Sequence, residues 1–413
     1  MRFQRTIPPT AAPVSFADLM RGLLGLGFEH HYRERIEADI RSVFRVKHAF
    51  LVSSGKGALT LILTSLKSLS PRQKVVIPAY TCFSVPSAVL KAGLELTLCD
   101  VDPETLDFDL RRLEALLDED TLCVMPTHLF GLPAAVDAVI SLSKRAGAFV
   151  VEDAAQAMGG TSRGRSLGTI GDVGFFSLGR GKSITCGSGG IIVTNSEEIG
   201  NAIRAEFERL TPEPRMNAAR DILSLLALRL FIAPCLYWFP AGLPFLKLGE
   251  TTFPRNFPLH RLAGAKAAVL VNWQDRLAQA TRLRRLATRA LLDVVTHEVP
   301  SLRPTTDGET TYLRIPLLLA RKDEKARLCQ LSKEYGLGIS PCYPSGIHAI
   351  PEVPYRPHPA QFPGATTVAE RLVTLPVHHL IRPEDYRRMW TLIHEQLRIS
   401  VNMMALLPEP SSG

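Results

Sequence analysis

The sequence predicts an α/β protein: a large domain built on a mostly parallel sheet, followed by a smaller α+β domain. Three observations predict it. Between residues 49 and 194, short apolar runs bounded by turn residues alternate with longer amphipathic stretches, the pattern of a parallel sheet covered by helices on both faces. Polar residues suited to chemistry, Asp153 and Ser177, fall at the ends of two such runs, where open α/β sheets bind their ligands. Beyond residue 262 the texture changes to long Ala-, Arg- and Leu-rich stretches. At 413 residues the chain exceeds the usual length of one domain. The division is expected at 1–255 and 256–413.

The strand candidates in order are 49–53, 74–78, 94–100, 122–127, 149–153, 173–178 and 190–194, each a short run rich in Val, Ile, Leu or Phe. Helix candidates between them are 58–67, 85–92, 110–117 and 136–145. In the second half, 262–291 reads as one or two long helices. A strand candidate follows at 312–319, then helices near 324–335 and 383–397. The Pro-, Ser- and Gly-rich tail at 408–413 reads as disordered.

Composition narrows the function classes. With 46% hydrophobic and 21% charged residues the chain is ordinary and globular. Seven cysteines stand singly, without C-x-x-C or metal-ligand spacing, which fits a reducing cytoplasm. Residues 1–5 lack the apolar core of a signal peptide. The net charge of +8 is spread out and accompanies no nucleic-acid motif. An anionic cofactor or substrate suits its sign.

One segment departs from this plain surface. Leu230 to Leu246 contains 17 residues without a charge. A spanning helix needs about 20 apolar residues, and Pro234, Pro240 and Pro244 would interrupt this one. The expectation is an apolar insertion, about 222–248, buried against the protein or a subunit partner. Shallow contact of 230–246 with a membrane surface is the alternative.

The chemistry concentrates at Val151-Glu152-Asp153-Ala154-Ala155-Gln156 and at Gly174-Phe175-Phe176-Ser177-Leu178-Gly179-Arg180-Gly181-Lys182-Ser183, with Gly187-Ser188-Gly189-Gly190 following. A carboxylate ends one strand, and a lysine follows another after a serine and a flexible turn. That layout suits pyridoxal phosphate. Lys182 bonds the cofactor covalently, Asp153 keeps its ring nitrogen protonated, and Ser177 takes its phosphate with nearby N–H groups. Gly-Arg-Gly-Lys-Ser is not a nucleotide P-loop, because position 176 is Phe where that motif requires Gly. His128, opening a turn after an apolar strand, reads as structural.

These residues resemble the DegT/DnrJ/StrS family of sugar aminotransferases, whose motifs run E-D-A-A-Q/H and then F-S-x-x-x-x-K with glycines after. Ser53-Ser54-Gly55 with Ala58-Leu59 is similar to the family's early S-x-G-T-x-A-L. Pro126-Thr127-His128-Leu129-Phe130-Gly131 resembles its P-x-H-L-Y-G, and Ala369-Glu370 with Leu375-Pro376-Val377-His378 resembles its A-E…L-P-x-H.

The resemblance implies a fold-type I pyridoxal-phosphate transferase. It would pass an amino group, from glutamate as donor, to a keto sugar carried on a nucleotide, for amino-sugar and surface-polysaccharide synthesis. It also implies a homodimer. Gln156 would lie against the cofactor ring, and Gly55, Lys56 and Gly57 would add N–H groups to the phosphate site. Asn256 would reach the neighbouring subunit's phosphate. Three departures stand out: Lys56 replaces the family's Thr, Pro258 replaces an Arg, and Cys82 stands where a ring-stacking Phe or Trp is usual. Tyr80 or Phe83 would stack instead. Two alternatives remain: a cofactor-binding regulator or scaffold without turnover, and a sugar dehydratase. The family's dehydratases carry His where this chain has Lys182.

Overall fold

The computed structural model describes residues 5–27, 29–243, 246, 248–249, 251–295, 305–354 and 361–405. Pro244 of the apolar stretch and the 408–413 tail lie outside the described residues. Two helices, α1 (Phe16–Leu24) and α2 (Glu29–Phe44), precede the sheet. Ser15 caps α1 in a reciprocal box with Asp18. Then β1 (His48–Val52), α3 (Gly55–Leu69), β2 (Lys74–Pro78), α4 (Ser84–Lys91), β3 (Glu95–Cys99), α5 (Leu110–Leu116), β4 (Thr121–Val124), α6 (Val136–Ala146) and β5 (Phe149–Asp153) alternate. A two-residue hairpin, β6 (Thr161–Ser162) and β7 (Arg165–Ser166), leads to β8 (Val173–Ser177) and β9 (Gly190–Thr194).

These strands form one seven-stranded sheet in the order β1-β9-β8-β5-β4-β2-β3. The ladders β3–β2–β4–β5–β8 are parallel, while β9 runs antiparallel to both β8 and β1. β9 is reversed because it returns directly from β8, without the helical crossover a parallel neighbour requires. Burial on both faces explains the unbroken apolar runs: β1, β4 and β9 are buried throughout.

After the sheet come α7 (Glu197–Arg209), α8 (Arg215–Phe231), α9 (Trp238–Ala241), α10 (Gly264–Val269) and α11 (Trp273–Val295). The C-terminal part adds β10 (Arg314–Leu318), α12 (Lys322–Tyr335), α13 (Pro363–Arg371), β11 (Leu372–Pro376) and α14 (Pro383–Ala405), with β10 and β11 pairing antiparallel. Its core joins Ile315, Leu317, Leu328, Val373, Leu375 and Ile393 to Ile7 of the N-terminal arm. Leu262, Ala265, Trp273 and Leu277 pack instead with α1, α2 and the sheet. We therefore propose a domain boundary inside α11, later than the position 255 drawn from chain texture.

The apolar stretch is partly covered by this chain: Pro234 is buried, and Ile232, Tyr237 and Trp238 are half-buried. Helix α8 starts before the stretch, at Arg215, and ends at Phe231, with Ile232 as its C-cap ahead of Pro234. Pro240 sits in the single turn of α9, where a missing N–H costs nothing. Phe231, Leu236, Phe239 and Leu246 are exposed at the surface. Among the described residues, no helix is long and apolar enough to cross a membrane.

Candidate active site

Asp153 and Ser177 end neighbouring parallel strands. Asp153 is in register with Phe175, so Ser177 emerges at the same edge of the sheet two residues later. Alternation along β5 sends Glu152 and Asp153 to opposite faces.

The Glu152 side is a structural brace. Its buried carboxylate accepts the N–H groups of Gly168 at 2.9 Å and Gly171 at 2.7 Å, and that of Ile170. Nδ1 of buried His128 accepts the Ala134 N–H at 3.0 Å. The imidazole proton therefore sits on Nε2, which donates to Glu152 at 2.9 Å. His128 fixes the loop after β4, as its structural reading expects.

The Asp153 side is different. Its buried carboxylate accepts the Ala155 N–H at 3.0 Å, and among the described residues no cation forms an ion pair with it. Burial pushes the carboxyl up from its ordinary value, against the Ala155 hydrogen bond and the charge of Lys182. A buried carboxylate in this condition favours a cationic ligand.

Lys182 sits in the loop that returns β8 into β9. The loop is closed by the Leu178 N–H on the Gly189 carbonyl at 2.8 Å, and the Lys182 N–H donates to the Gly179 carbonyl at 3.2 Å. Gly181 takes φ 78° there, and a Cβ on it would lie 2.4 Å from Thr10 Oγ1 of the N-terminal arm. The turn thus requires glycine. Burial pushes the Lys182 ammonium down from the ordinary lysine value; Cys82 and Asp153 oppose this and Arg314 adds to it. The side chain is therefore a free amine at a lower pH than an exposed lysine would be.

The third part of the site is the start of α3. Ser54 caps the helix, its Oγ accepting the Gly57 N–H at 3.0 Å. The first N–H groups of a helix have no intrahelical partner and favour an anion. Gly55 backs closely onto β8: a Cβ there would meet Ser177 Cβ at 2.9 Å and Oγ at 3.0 Å. A Cβ on Gly179 would lie 3.5 Å from the same Oγ and 3.9 Å from Lys182 Cγ. Ser177, Gly55 and Lys182 thus border one space that side chains at these glycines would fill. Lys56, half-buried, holds its ammonium 4.8 Å over the Phe257 ring, as does Lys91.

Gln156 donates from Nε2 to the Tyr343 hydroxyl at 3.1 Å. Tyr80 and Phe83 are buried and pack their rings on Tyr343, at centroid distances of 5.6 and 6.3 Å. Cys82, between them in sequence, is one of the neighbours of Lys182, with Asp153, Arg314 and Cys342. Asn256 is exposed, beside the buried Phe257.

Sequence reasoning missed Tyr343, Arg314 and Cys342. All three reach the site from the C-terminal part, and only Cys342, with φ 60°, carries a local mark of strain. Among the described residues, no group of three or more His, Cys, Asp or Glu is arranged to hold a metal ion.

Residues 26–213 and 257–394 match the model of the DegT/DnrJ/EryC1/StrS aminotransferase family. GDP-perosamine synthase of Caulobacter vibrioides is 36% identical over 159 residues, which are 38% of this chain and 43% of that protein. The match thus spans less than half the length of that relative. The spore coat polysaccharide biosynthesis protein SpsC of Bacillus subtilis is 25% identical over 360 residues, covering 85% and 86% of the two chains. The solved sugar aminotransferase CalS13 from Micromonospora echinospora superposes with a TM-score of 0.75 at 23% identity, over 94% of this chain and 99% of that one. That likeness establishes the fold as fold-type I. With two matched segments covering most of its length, the chain belongs to the DegT/DnrJ/EryC1/StrS aminotransferase family.

Proposed function

We propose that this chain is a pyridoxal-phosphate-dependent aminotransferase that moves an amino group onto a keto sugar carried on a nucleotide, with glutamate as donor. The observation that carries the reading is the pair at the sheet edge: Lys182 with its ammonium pushed down by burial, and Asp153 with its carboxyl pushed up and no ion-pair partner among the described residues.

The residues present fit the cofactor. Asp153 would hold the ring nitrogen, Gln156 the ring, and Lys182 the covalent attachment. Ser177 Oγ with the N–H groups of Gly55 and Lys56 would hold the phosphate, whereas the Gly57 N–H, expected to join them, is taken by the Ser54 cap. When bound, the cofactor supplies an electron sink for the substrate carbon that bears nitrogen. Lys182 Nζ then serves as the base that holds and returns the proton at that carbon. Tyr80, Phe83 and Tyr343 close the apolar side of the site and exclude water.

A cavity of about 720 Å³ opens beside Cys342, with Lys325 and His348 on its walls. Its size, and Lys322 and Lys325 beside Glu370 on its walls, support a nucleotide-linked substrate. Exposed Asn256 is available to a second subunit, which supports a homodimer. Cysteines that are all free support a reducing cytoplasm. Lysine at position 182 favours amination over dehydration.

The test is turnover. Purified protein should absorb in the visible, lose that band on adding glutamate, and form an amino sugar from a keto-sugar nucleotide, read by mass spectrometry. A visible band that glutamate leaves unchanged, with no amine formed from any keto-sugar nucleotide tried, would identify a cofactor-binding regulator instead.

A further inference from the structure

The family match breaks off at residue 213 and resumes at 257. The stretch between carries α8 and α9, and its surface is inverted. Ala218, Ile222 and Leu225 of α8 pack inward at helical spacing. The opposite stripe, Met216, Arg220, Leu223, Ala227 and Leu230, faces solvent. Leu223 is 56% and Leu230 49% exposed, where a globular protein places polar side chains.

The apolar face continues in both directions. The Phe231 ring meets Phe239 at 5.6 Å, and Phe239 meets Trp238 at 5.9 Å. Toward the N-terminus, the Arg229 guanidinium lies 5.0 Å over the Phe16 ring. Phe16, Met20 and Leu24 then form the outward stripe of α1, at 48, 54 and 69% exposure. A contiguous apolar patch of this kind marks an interaction surface.

Among the described residues, the charges on this face have one sign. Arg215, Arg220 and Arg229 are exposed along α8. The acidic residues of α1 and α8 turn inward: Asp18 binds Ser15, Arg21 and Arg276, and Asp221 binds Ser188 at 2.6 Å and Lys266 at 2.8 Å. α9 carries no charge. A second copy of the same face would set arginine against arginine with no acid between them. An anionic lipid surface answers both the apolar stripe and the arginines.

We propose that the face made by α1, α8 and α9 docks this enzyme on an anionic membrane surface, its aromatic and leucine side chains entering the headgroup boundary. Docking is independent of the reaction at the site, although α8 touches the Lys182 loop through Asp221 and Ser188.

The test is co-sedimentation of the full chain with vesicles of phosphatidylcholine alone or mixed with phosphatidylglycerol. Wild type should bind the anionic vesicles more than about tenfold better, and lose that preference at high salt. The variant Leu223→Ser/Leu230→Ser/Phe239→Ser and the variant Arg220→Gln/Arg229→Gln should each stay in the supernatant, while keeping wild-type mass in solution and wild-type circular dichroism. The arginine variant keeps Leu223, Leu230 and Phe239 and gives up only the Arg229 contact with the Phe16 ring, so it decides the matter if the other fails to fold. Wild type that ignores anionic vesicles, or binds neutral ones equally, overturns the proposal. So does an apolar variant that folds but dissociates to monomers, which would make this face a subunit contact.

Discussion

Replacing Asp153 by Asn keeps the shape of the side chain and an oxygen for the Ala155 N–H at 3.0 Å, but removes the charge that faces the site. A carboxylate and a ring cation in hydrogen-bond contact, roughly 3 Å apart, attract by about 5.5 kcal/mol at an effective dielectric constant of about 20. At about 1.4 kcal/mol per tenfold, full expression of that attraction in the transition state is about four orders of magnitude in kcat/KM. The cofactor-free protein should respond in the opposite direction. Burial raises the folded carboxyl above its unfolded value, so the folded state binds its proton more tightly. The wild type then loses stability as pH climbs from the ordinary carboxyl range through the raised value. Asn carries no such penalty. Cofactor-free Asp153→Asn should therefore melt no lower than cofactor-free wild type at pH 8, while the cofactor-loaded variant loses nearly all activity. Steady-state kinetics and thermal melts of both forms measure this. Activity within tenfold of wild type would show that Asp153 only pins the turn at Ala155.

Three further outcomes are expected. Gly55→Ala presses a Cβ to 2.9 Å from Ser177; overpacking of about 1–3 kcal/mol should weaken cofactor retention by roughly 5- to 150-fold, and unchanged retention on dialysis would place the phosphate elsewhere. The rising limb of the pH–rate profile should fall below the ordinary lysine value of 10.5, because more Lys182 is free amine as pH rises through its lowered value. Arg314→Gln removes a nearby cation and should move that limb upward, so a limb that stays in place would separate Arg314 from the site. Light scattering should give a dimer, and mixing Asn256→Ala with Lys182→Ala should restore part of the activity neither has alone; an active monomer would contradict the shared site.

The sheet was legible because its strands are buried on both faces and so read as unbroken apolar runs. The candidates at 74–78, 149–153 and 190–194 coincide with β2, β5 and β9. Helix α2 escaped because only Ile36, Ile40 and Phe44 mark its buried face in an otherwise polar stretch. Helix α8 escaped for the opposite reason: apolar residues stand on its exposed side too, which erases the periodicity. β11 is a short apolar run between a helix and a loop, and nothing local pairs it with β10 across more than fifty residues.

The site followed the same division. Asp153, Ser177 and Gly55 sit at strand or helix ends, so the pattern that marks the element also locates the residue. Tyr343 and Arg314 become neighbours of Gln156 and Lys182 only when the C-terminal part packs on the sheet, and no spacing in the chain encodes that approach.

The central claim is that Lys182 carries the cofactor. The most direct measurement is borohydride reduction of the cofactor-loaded protein, followed by digestion and mass spectrometry of the peptides. The expected result is the reduced cofactor's mass on the peptide bearing Lys182, with no label on the Lys182→Ala variant. Label on Lys56, or no labelled peptide from a protein that retains its cofactor, would contradict the assignment.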